Sequence, residues 1–348
     1  METYWDGAIS VAVVNWNRCA LLRACLQSLM AQQTDRDVEI VVVDNGSVDG
    51  SADMVETEFR DAGPFTVRLI RNRENRGFCA ANNQAFAASR TEFVALLNND
   101  AEAGPGWLAG LLEAFGRPDV GMAASRVLVY EDPGRIDKAG HLMYLDGQNR
   151  GRGSGALDNG QYDRVEEVLW PDGCAAMYRR SMLDQIGGFD EDFFAYADDA
   201  ELGLRARIAG WKCLYMPAAV VRHRRGETLG LRSLRRVELI ERNRVLLAAK
   251  LFPWSLLCLN GVFYMARLAA GLVAALRGRG EVGRFRGMER WKVAMALLTG
   301  DLRAIPLLPR MFRKRRQLRS IRQLSPRELR QLLWRHRITL AELSEQAI

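Results

Sequence analysis

The chain has few of the residues on which many catalytic sites depend. It contains 3 histidines and 6 cysteines in 348 residues, and no two cysteines form a Cys-x-x-Cys pair. This excludes a regular disulfide framework and indicates reduced thiols in a cytosolic setting. No GxxxxGKS loop, GxSxG turn or HExxH helix occurs either. The P-loop, serine-hydrolase and zinc-protease classes therefore have no motif here.

Acidic residues are scarce in the last third of the chain. The net charge is +7, but residues 229–348 carry 25 Lys and Arg against only 8 Asp and Glu, whereas residues 1–228 have an excess of acids. A basic segment of this kind favours a polyanionic surface as partner. We therefore predict two regions: a catalytic domain over residues 1–228 and a helical, basic, membrane-associated region over residues 229–348.

Long apolar runs are missing except over residues 254–276, and Asn260 and Arg267 interrupt that one. A central Arg costs at least about 2.5 kcal/mol in a bilayer, so we expect a buried or interfacial helical hairpin rather than a true span. An ordinary pair of core helices is the alternative. No basic N-terminal signal segment is present. The expected location is cytoplasmic, peripheral on the inner face of the cytoplasmic membrane, whose anionic lipids attract Lys and Arg; the tail also offers apolar surface for a homodimer.

Over the first hundred residues, β-rich runs alternate with helical segments. The predicted strands cover residues 9–14, 38–43, 67–71 and 92–97. This alternation predicts a parallel sheet covered by helices, in which ligands bind at the carboxyl ends of the strands. A polar cluster follows each strand, at residues 15–17, 44–45, 72–77 and 98–100. Four such clusters predict a shared site, whereas residues 147–160, rich in Gly, are predicted to form a mobile surface loop.

Five segments appear in the order found in the family 2 inverting glycosyltransferases. They are VVNWN (13–17), DNGSVDGS (44–51), NRGFCAANN (75–83), LLNNDAE (96–102) and FDEDFFAYADDAELGLRARIAGW (189–211). The chain most resembles the rhamnosyltransferase-type members that build bacterial surface polysaccharides such as O-antigen. The resemblance covers roughly residues 8–228. It implies the α/β GT-A fold of nucleotide-diphospho-sugar transferases, with a mostly parallel central sheet flanked by helices.

The resemblance also implies the activity. We expect a metal-dependent, inverting transferase that moves a sugar from a nucleotide-diphosphate donor, with thymidine diphosphate rhamnose as the first guess, to a lipid-linked saccharide acceptor. The Gln-x-x-Arg-Trp motif of the processive synthases is absent, because Gly287 stands where its Gln would fall. We therefore expect a non-processive enzyme, and no nucleic-acid partner.

The donor site implied by the resemblance uses the polar strand ends. A carboxylate at Asp44 can accept from a pyrimidine N–H or a ribose hydroxyl, and Gly77 permits close approach of the backbone. Turn formation or helix capping is the alternative role for these positions. The predicted donor-binding residues are Asn15, Asn17, Asp44, Asn45, Ser47, Gly77, Asn82, Asn83, Asn98, Asn99, Asp100, Arg205 and Thr228.

The LLNNDAE segment corresponds to the family's Asp-x-Asp metal motif, with Asn98 in place of the first Asp. A magnesium ion takes one or two carboxylates plus substrate phosphates, so Asp100 is sufficient. His223, at the end of a predicted strand, matches a position that often binds metal or diphosphate in the family, and imidazole suits manganese better than magnesium. We predict a Mn²⁺ or Mg²⁺ site at Asp100 and His223.

The catalytic element implied by the resemblance is Asp198-Asp199, at the start of a predicted helix. The family usually has Glu-Asp there, with the second residue as general base. We assign the base to Asp199, although the replacement of Glu leaves Asp198 open as an alternative. The predicted acceptor-binding loop contains Trp170, Asp172, Gly173 and Cys174.

Two other functions compete with this prediction. A sugar nucleotidyltransferase would need a Gly-rich signature and a Lys near the N-terminus, but residues 8–25 contain neither Gly nor Lys. A non-catalytic membrane or nucleic-acid adaptor with a degenerate transferase domain would use the basic tail for phosphate binding. The intact carboxylates Asp100 and Asp199 oppose the adaptor hypothesis.

Overall fold

The computed structural model describes residues 5–60, 63–226, 233–276 and 290–345. Within them the strands are β1 (Trp5–Asn15), β2 (Val38–Asp44), β3 (Thr66–Arg71), β4 (Thr91–Leu97), β5 (Ala101–Ala103), β6 (Val120–Val129), β7 (Ile136–Lys138), β8 (His141–Met143), β9 (Asn149–Gly151), β10 (Glu166–Val168), β11 (Ala175–Arg179) and β12 (Lys212–His223). The helices are α1 (Cys19–Met30), α2 (Ser51–Glu58), α3 (Gly77–Ala88), α4 (Trp107–Leu112), α5 (Arg180–Ile186), α6 (Asp198–Ile208), α7 (Leu234–Leu251), α8 (Trp254–Leu276), α9 (Arg290–Ala304), α10 (Leu308–Gln317), α11 (Pro326–Arg335) and α12 (Leu340–Glu345).

One large mixed sheet organises these elements, in the order β10-β12-β6-β11-β4-β1-β2-β3. The four strands predicted from sequence form its parallel part, with β1 between β2 and β4. The antiparallel β11 joins β4 to β6, and β12 then runs parallel to β6. The predicted α/β class, with helices flanking the sheet and a helical C-terminal region, is confirmed.

The apolar strands form where they do because both faces of the sheet are covered. The side chains of Ile40, Val41, Val42 and Val43 on β2 are all inaccessible to solvent, and they divide between two core clusters on opposite faces. A continuous apolar run is the pattern expected for such a doubly covered parallel strand. The parallel register also places Asn15 opposite Asp44, so the polar clusters at the strand ends meet.

Residues 147–160 do not form the mobile loop that their composition predicts. The strands β8 and β9 pair as a hairpin, and the segment beyond is fixed by backbone hydrogen bonds, for example from Ile136 N to Ala156 O and from Arg152 N to Gly140 O. Arg150 is buried within the hairpin. The prediction was wrong because these polar residues pair with residues 134–143, a partner that composition cannot reveal.

Helix α7 joins the C-terminal region to the sheet-containing body. The Lys250 ammonium lies 2.6 Å from both Asp190 Oδ2 and Glu201 Oε1, and all three residues are buried. Lys314 on α10 binds Asp190 and Asp192 as well. Part of the basic charge of the tail is therefore paired with the acidic body rather than left for an external partner.

The apolar run over residues 254–276 forms a single helix, α8, not the predicted hairpin and not a pair of core helices. Of the described helices it is the one long and apolar enough to cross a membrane by length and composition, and most of it is exposed. Arg267 does not interrupt it, because its guanidinium turns inward to Asp146 (2.5 Å) and Glu241 (2.8 Å). The helix therefore keeps an apolar outer side.

This buried ion-pair cluster provides a first prediction. Replacing Arg267 by Met leaves the carboxylates of Asp146 and Glu241, which are almost completely buried, with less compensation. Removing one partner of a buried pair costs about 3–5 kcal/mol. We expect the free energy of unfolding of Arg267→Met, measured with denaturant, to fall by an amount in that range.

The control is Arg303→Met, since the side chain of Arg303 is half-exposed and pairs with Glu238 at 2.6 Å. Pairs near the surface contribute only about 0.2–1 kcal/mol. Equal losses of unfolding free energy in the two variants would show that the ion pairs of Arg267 with Asp146 and Glu241 do not stabilise the position of α8.

Candidate active site

A cavity of about 370 Å³ opens at the carboxyl ends of β1, β2 and β4. Its walls come from six parts of the chain: these strand ends, residues 75–78 at the start of α3, Lys138 on β7, the β8–β9 hairpin, residues 172–174 with residues 194–199, and helix α7. Lining side chains include Trp16, Arg18, Asn45, Asn75, Asn98, Asn99, Lys138, His141, Asp172, Cys174, Asp198, Asp199, Arg236 and Arg244. The shared site predicted from the strand ends is therefore present as a cavity.

Asp198 and Asp199 reach the cavity through an unusual turn. Three non-glycine residues just before α6, Phe194, Tyr196 and Ala197, have positive φ angles of 63°, 69° and 55°. Such left-handed conformations cost about 1–3 kcal/mol each unless the surroundings impose them. Here the buried amide of Asn243 on α7 lies 2.7–2.9 Å from the carbonyl oxygens of residues 193, 195 and 196. Helix α7 therefore stabilises the turn that presents the two carboxylates.

The two carboxylates have raised affinities for protons. Burial, together with the neighbouring Asp199 carboxylate, raises the pKa of Asp198 to about 8. Burial also raises the pKa of Asp199. Asp199 Oδ1 accepts from Ala200 N at 2.7 Å, while Oδ2 lies 3.4 Å from both Gly173 N and His141 Nε2. A carboxylate with a raised pKa on a cavity wall suits general-base chemistry near neutral pH.

Lys138 and His141 flank this pair and were not predicted from the sequence. Asp172 Oδ2 lies 2.6 Å from Lys138 Nζ and 2.8 Å from His141 Nε2. Although burial opposes it, these two groups hold the pKa of Asp172 well below its usual value. Among the described residues, His141, Asp172 and Asp199 offer ligand atoms within 4.8 Å of one another. No motif marks this cluster, because its members come from separate elements.

The predicted acceptor-binding loop divides into two parts. Asp172, Gly173 and Cys174 lie on the cavity wall. Trp170 does not: its side chain is fully buried and stacks on His141 with a centroid separation of 5.7 Å. A Cβ at Gly203 would lie 2.1 Å from Trp170 Cβ, so the indole fits because that helix position has no side chain.

The predicted donor-side residues at the strand ends form a connected hydrogen-bond network. Asn45, Gly77, Asn98 and Asn99 lie on the cavity wall. Behind them, Asn99 Nδ2 donates to Asn15 Oδ1 at 2.6 Å, Asn15 Nδ2 to Asp44 Oδ1 at 3.4 Å, and Ser47 N to Asp44 Oδ2 at 3.0 Å. Asn17 accepts from Val48 N at 2.8 Å. The structure thus brings these residues together, and their binding of a donor remains a prediction.

Gly77 has the backbone role that the sequence suggests. Its φ is +84°, and a Cβ there would lie 2.5 Å from the Phe194 ring. Phe78 N also donates to Phe194 O at 2.9 Å. The start of α3 therefore packs directly against the turn that carries the two carboxylates.

Three predicted donor-binding residues have structural partners instead. The Asn82 amide donates to Phe78 O, and the Asn83 amide to Phe189 O. Arg205 is buried, with its guanidinium bound to Glu201 and to the carbonyls of residues 186–188. Asn83 and Arg205 are thus directed towards residues 186–191 and Asn82 towards its own helix, and donor binding by these three residues stays a prediction. Thr228 lies outside the described residues.

Asp100 and His223 lie next to each other because β5 and β12 are paired. The register sets His223 opposite Ala101, and His223 Nε2 lies 3.4 Å from Asp100 Oδ1. Among the described residues, that buried Oδ1 atom has no hydrogen-bond partner. His223 Nδ1 is bound to Asp137 Oδ2 at 2.7 Å, the outer partner that a metal-ligating imidazole commonly has. These residues therefore fit a divalent cation.

Comparisons with known proteins agree with this arrangement. The family described as Glycosyl transferase family 2 matches residues 10–187. An N-acetylglucosaminyl-diphospho-decaprenol L-rhamnosyltransferase of Mycobacterium tuberculosis is 29% identical over 244 residues, which is 64% of this chain and 78% of the relative. The uncharacterized protein y4gI of Sinorhizobium fredii is 31% identical over 233 residues, again 64% of this chain but only 25% of that protein.

Two solved structures share the fold. The GalNAc-T7 structure with UDP, GalNAc and Mn²⁺ has a TM-score of 0.60 at 16% identity, covering 75% of this chain and 50% of that one. The mannosyltransferase PcManGT from Pyrobaculum calidifontis, in complex with GDP-Man and Mn²⁺, has a TM-score of 0.54 at 20% identity, covering 85% and 86%. At these identities the likeness establishes the architecture alone.

The raised pKa of Asp198 leads to a prediction about stability. A carboxyl whose folded pKa of about 8 lies above its unfolded value of about 3.8 contributes stability at low pH that is lost as the pH rises through the folded pKa. Asp198→Asn removes this ionisation. We expect the Tm of the variant, relative to wild type, to increase between pH 5 and pH 8.

The control is Asp184→Asn, since Asp184 is an exposed residue of α5. Its Tm should follow that of wild type at both pH values. A Tm difference between Asp198→Asn and wild type that does not change with pH would contradict a raised pKa of Asp198 in the folded protein.

Proposed function

Because the chain belongs to glycosyl transferase family 2, we propose that it is an inverting, non-processive glycosyltransferase built on its GT-A fold. It transfers a sugar from a nucleotide diphosphate to a lipid-linked saccharide acceptor. The observation that supports this most is the single cavity that joins the strand-end amides to the Asp198–Asp199 pair. A donor at the strand ends and an acceptor beside the carboxylates can therefore meet.

Each side of the cavity has a separate task in this proposal. Asn45, Asn98 and Asn99 face the donor, and Asn15, itself bound to Asp44, fixes the orientation of the Asn99 amide. Asp199 takes the proton of the acceptor hydroxyl as its oxygen bonds to the anomeric carbon. The bond from that carbon to the diphosphate breaks at the opposite face. One displacement of this kind inverts the configuration and needs no covalent intermediate.

A divalent cation, Mn²⁺ or Mg²⁺, is part of the proposal. Asp100 and His223 would hold it, and its chemistry when bound is to neutralise negative charge on the diphosphate leaving group. Asp137 orients the imidazole of His223 through Nδ1. The buried Oδ1 atom of Asp100, which has no hydrogen-bond partner within the part of the chain that the structure describes, is the feature that supports the assignment.

The acceptor side of the cavity supports a lipid-linked substrate. Arg236, Ile240 and Arg244 on α7 line the cavity, and the same helix packs against α8 and α9. The cavity is therefore separated from the apolar side of the C-terminal region by a single helix. The M. tuberculosis relative has a polyprenyl-linked acceptor in its name, and we propose a saccharide on a similar lipid diphosphate here, with rhamnose as the first sugar to test.

The outer side of the C-terminal region supports a peripheral position on an anionic membrane. Helix α9 and the residue after it expose an apolar stripe at helical spacing, consisting of Trp291, Met295, Leu298, Leu302 and Ile305, each about half exposed. Helix α10 follows and carries the exposed Arg313 and Arg316, whereas Lys314 between them is paired with the acidic body. Apolar insertion together with basic residues is the combination that binds anionic bilayers.

The activity is tested by release of nucleoside diphosphate from UDP-, GDP- and dTDP-sugars, with a polyprenyl-diphosphate-linked saccharide as acceptor. We expect wild type to use one donor and EDTA to abolish transfer. Asp199→Asn should lower kcat by about 10²–10⁴-fold, the usual contribution of a general base. Asp184→Asn, matched in chemistry but exposed on α5, should leave kcat unchanged.

The product's anomeric configuration, read by NMR, tests inversion separately. Retention would refute the single displacement. A folded wild type that is silent with every donor, with acceptor present, would support the adaptor hypothesis instead.

Membrane binding is tested by co-sedimentation with vesicles of phosphatidylglycerol and phosphatidylcholine. The double variant Leu298→Ser/Leu302→Ser removes two side chains from the α9 stripe, and burying such side chains contributes about 1.5–3 kcal/mol each. We expect vesicle affinity to fall at least about tenfold. Leu157→Ser/Val165→Ser, which replaces two exposed apolar residues of the catalytic body, is the control and should bind as wild type. Unchanged binding, with a change from dimer to monomer, would show that the stripe contacts a second copy.

A further inference from the structure

His141 lies between two carboxylates on the cavity wall. Its Nε2 atom is 2.8 Å from Asp172 Oδ2 and 3.4 Å from Asp199 Oδ2. The ring is buried and stacked on Trp170 with an interplanar angle of 19°. The imidazole is therefore held in one plane, with one nitrogen directed at both carboxylates.

The hydrogen bonds indicate which nitrogen carries the proton. Nδ1 of His141 is buried and has no hydrogen-bond partner among the described residues, so an N–H there would be an unsatisfied buried donor, which is unfavourable. Nε2 faces two carboxylate oxygens, which can only accept. The imidazole thus presents an Nε2–H group that Asp172 and Asp199 share.

Asp172 does not need this N–H for charge compensation. Its Oδ2 atom is already 2.6 Å from Lys138 Nζ, and its Oδ1 atom accepts from Cys174 N at 2.9 Å. Asp199 has only Ala200 N at short range and Gly173 N at 3.4 Å. A small movement of the Asp199 carboxylate towards His141 would therefore give it a charge-assisted hydrogen bond at little loss to Asp172.

A metal ion between these residues is the competing interpretation, since three ligand atoms lie within 4.8 Å of one another. However, the Asp172 oxygen nearest to His141 also contacts the buried Lys138 ammonium. A dication there would lie beside a fixed positive charge. The hydrogen-bonded arrangement accounts for the same three side chains without that repulsion.

We propose that His141 is a positioning residue that orients Asp199 and stabilises its charged form through Nε2–H, with Trp170 fixing the plane of the ring and Lys138 holding Asp172 beside the same nitrogen. The expected effect on sugar transfer rests on the proposed function, whereas the expected effect on the Asp199 carboxylate does not. The charged and titratable groups around Asp199 are Asp198 on the same helix, His141, Lys138 and Asp172 on the facing wall, and Tyr178 on β11.

The direction of the effect on the Asp199 pKa follows from the fact that His141 donates the hydrogen bond. A hydrogen bond to the charged form lowers a carboxyl pKa, so His141 acts against the rise that burial causes at Asp199. Removing the N–H should raise the Asp199 pKa further. Less of the base would then be charged at neutral pH.

The test compares His141→Phe, which removes the donor, with His141→Gln, whose amide keeps an N–H near the original position. For His141→Phe we expect kcat to fall about 10–100-fold, a part of the usual general-base contribution. The acid limb of the kcat/KM profile should move up by about one pH unit, corresponding to 1.4 kcal/mol. His141→Gln should restore most of kcat and most of the original position of the acid limb. The nucleotide affinity of both variants, measured by calorimetry, should equal that of wild type.

A second readout does not need turnover. Carbon-13 NMR of Asp-labelled protein, assigned with Asp199→Asn, reports the Asp199 pKa directly in wild type and in both variants. A raised pKa in His141→Phe, reversed in His141→Gln, supports the proposal even if wild type transfers no sugar, in which case only the proposed function fails. An unchanged Asp199 pKa in His141→Phe would overturn the proposal. A tight Mn²⁺ ion, detected by EPR, that binds wild type and Asp100→Asn equally but is lost in His141→Phe would also overturn it, because His141 would then be a metal ligand.

Discussion

The arrangement of the site depends on the hydrogen bonds from Asn243 to the turn before α6. A turn with three non-glycine residues in the left-handed region is unfavourable alone, and the buried amide of Asn243 contacts three of its carbonyl oxygens. The buried ion pairs of Lys250 with Asp190 and Glu201 hold α7 against the same region. The direction of the Asp198 and Asp199 carboxylates therefore depends on a helix outside the sheet.

Most of the parallel half of the fold could be predicted from the sequence, because doubly buried strands such as β2 have an uninterrupted apolar pattern. The meeting of Asn15, Asp44 and Asn99 followed from the same pattern, since parallel strands bring their carboxyl ends to one edge. The proximity of Asp100 and His223 could not follow from periodicity: it results from the antiparallel pairing of the short β5 with β12, and only the family resemblance joined the two residues.

The hydrogen-bond partners inside the fold are the part that the motifs do not show. Arg205, Asn82 and Asn83 lie within the quoted segments, but their hydrogen bonds go to backbone carbonyls and to the carboxylates of Glu191 and Glu201. Lys138 and His141 were missed for the opposite reason, since the β7–β8 region has no motif and reaches the cavity only through the fold. Likewise the charge asymmetry indicated an external anionic partner, whereas Lys250 and Lys314 use part of that charge to bind the acidic body. Sequence distance and net charge do not show which polar groups are paired inside.

The position of α7 has a consequence for how this architecture can be recombined. Arg236 and Arg244 line the cavity, Asn243 fixes the turn that carries Asp198 and Asp199, and the same helix packs on α8 and α9. A chimera that exchanged tails at residue 228 would thus replace part of the cavity wall along with the helices that follow. An exchange that keeps the cavity wall intact has to begin after α7.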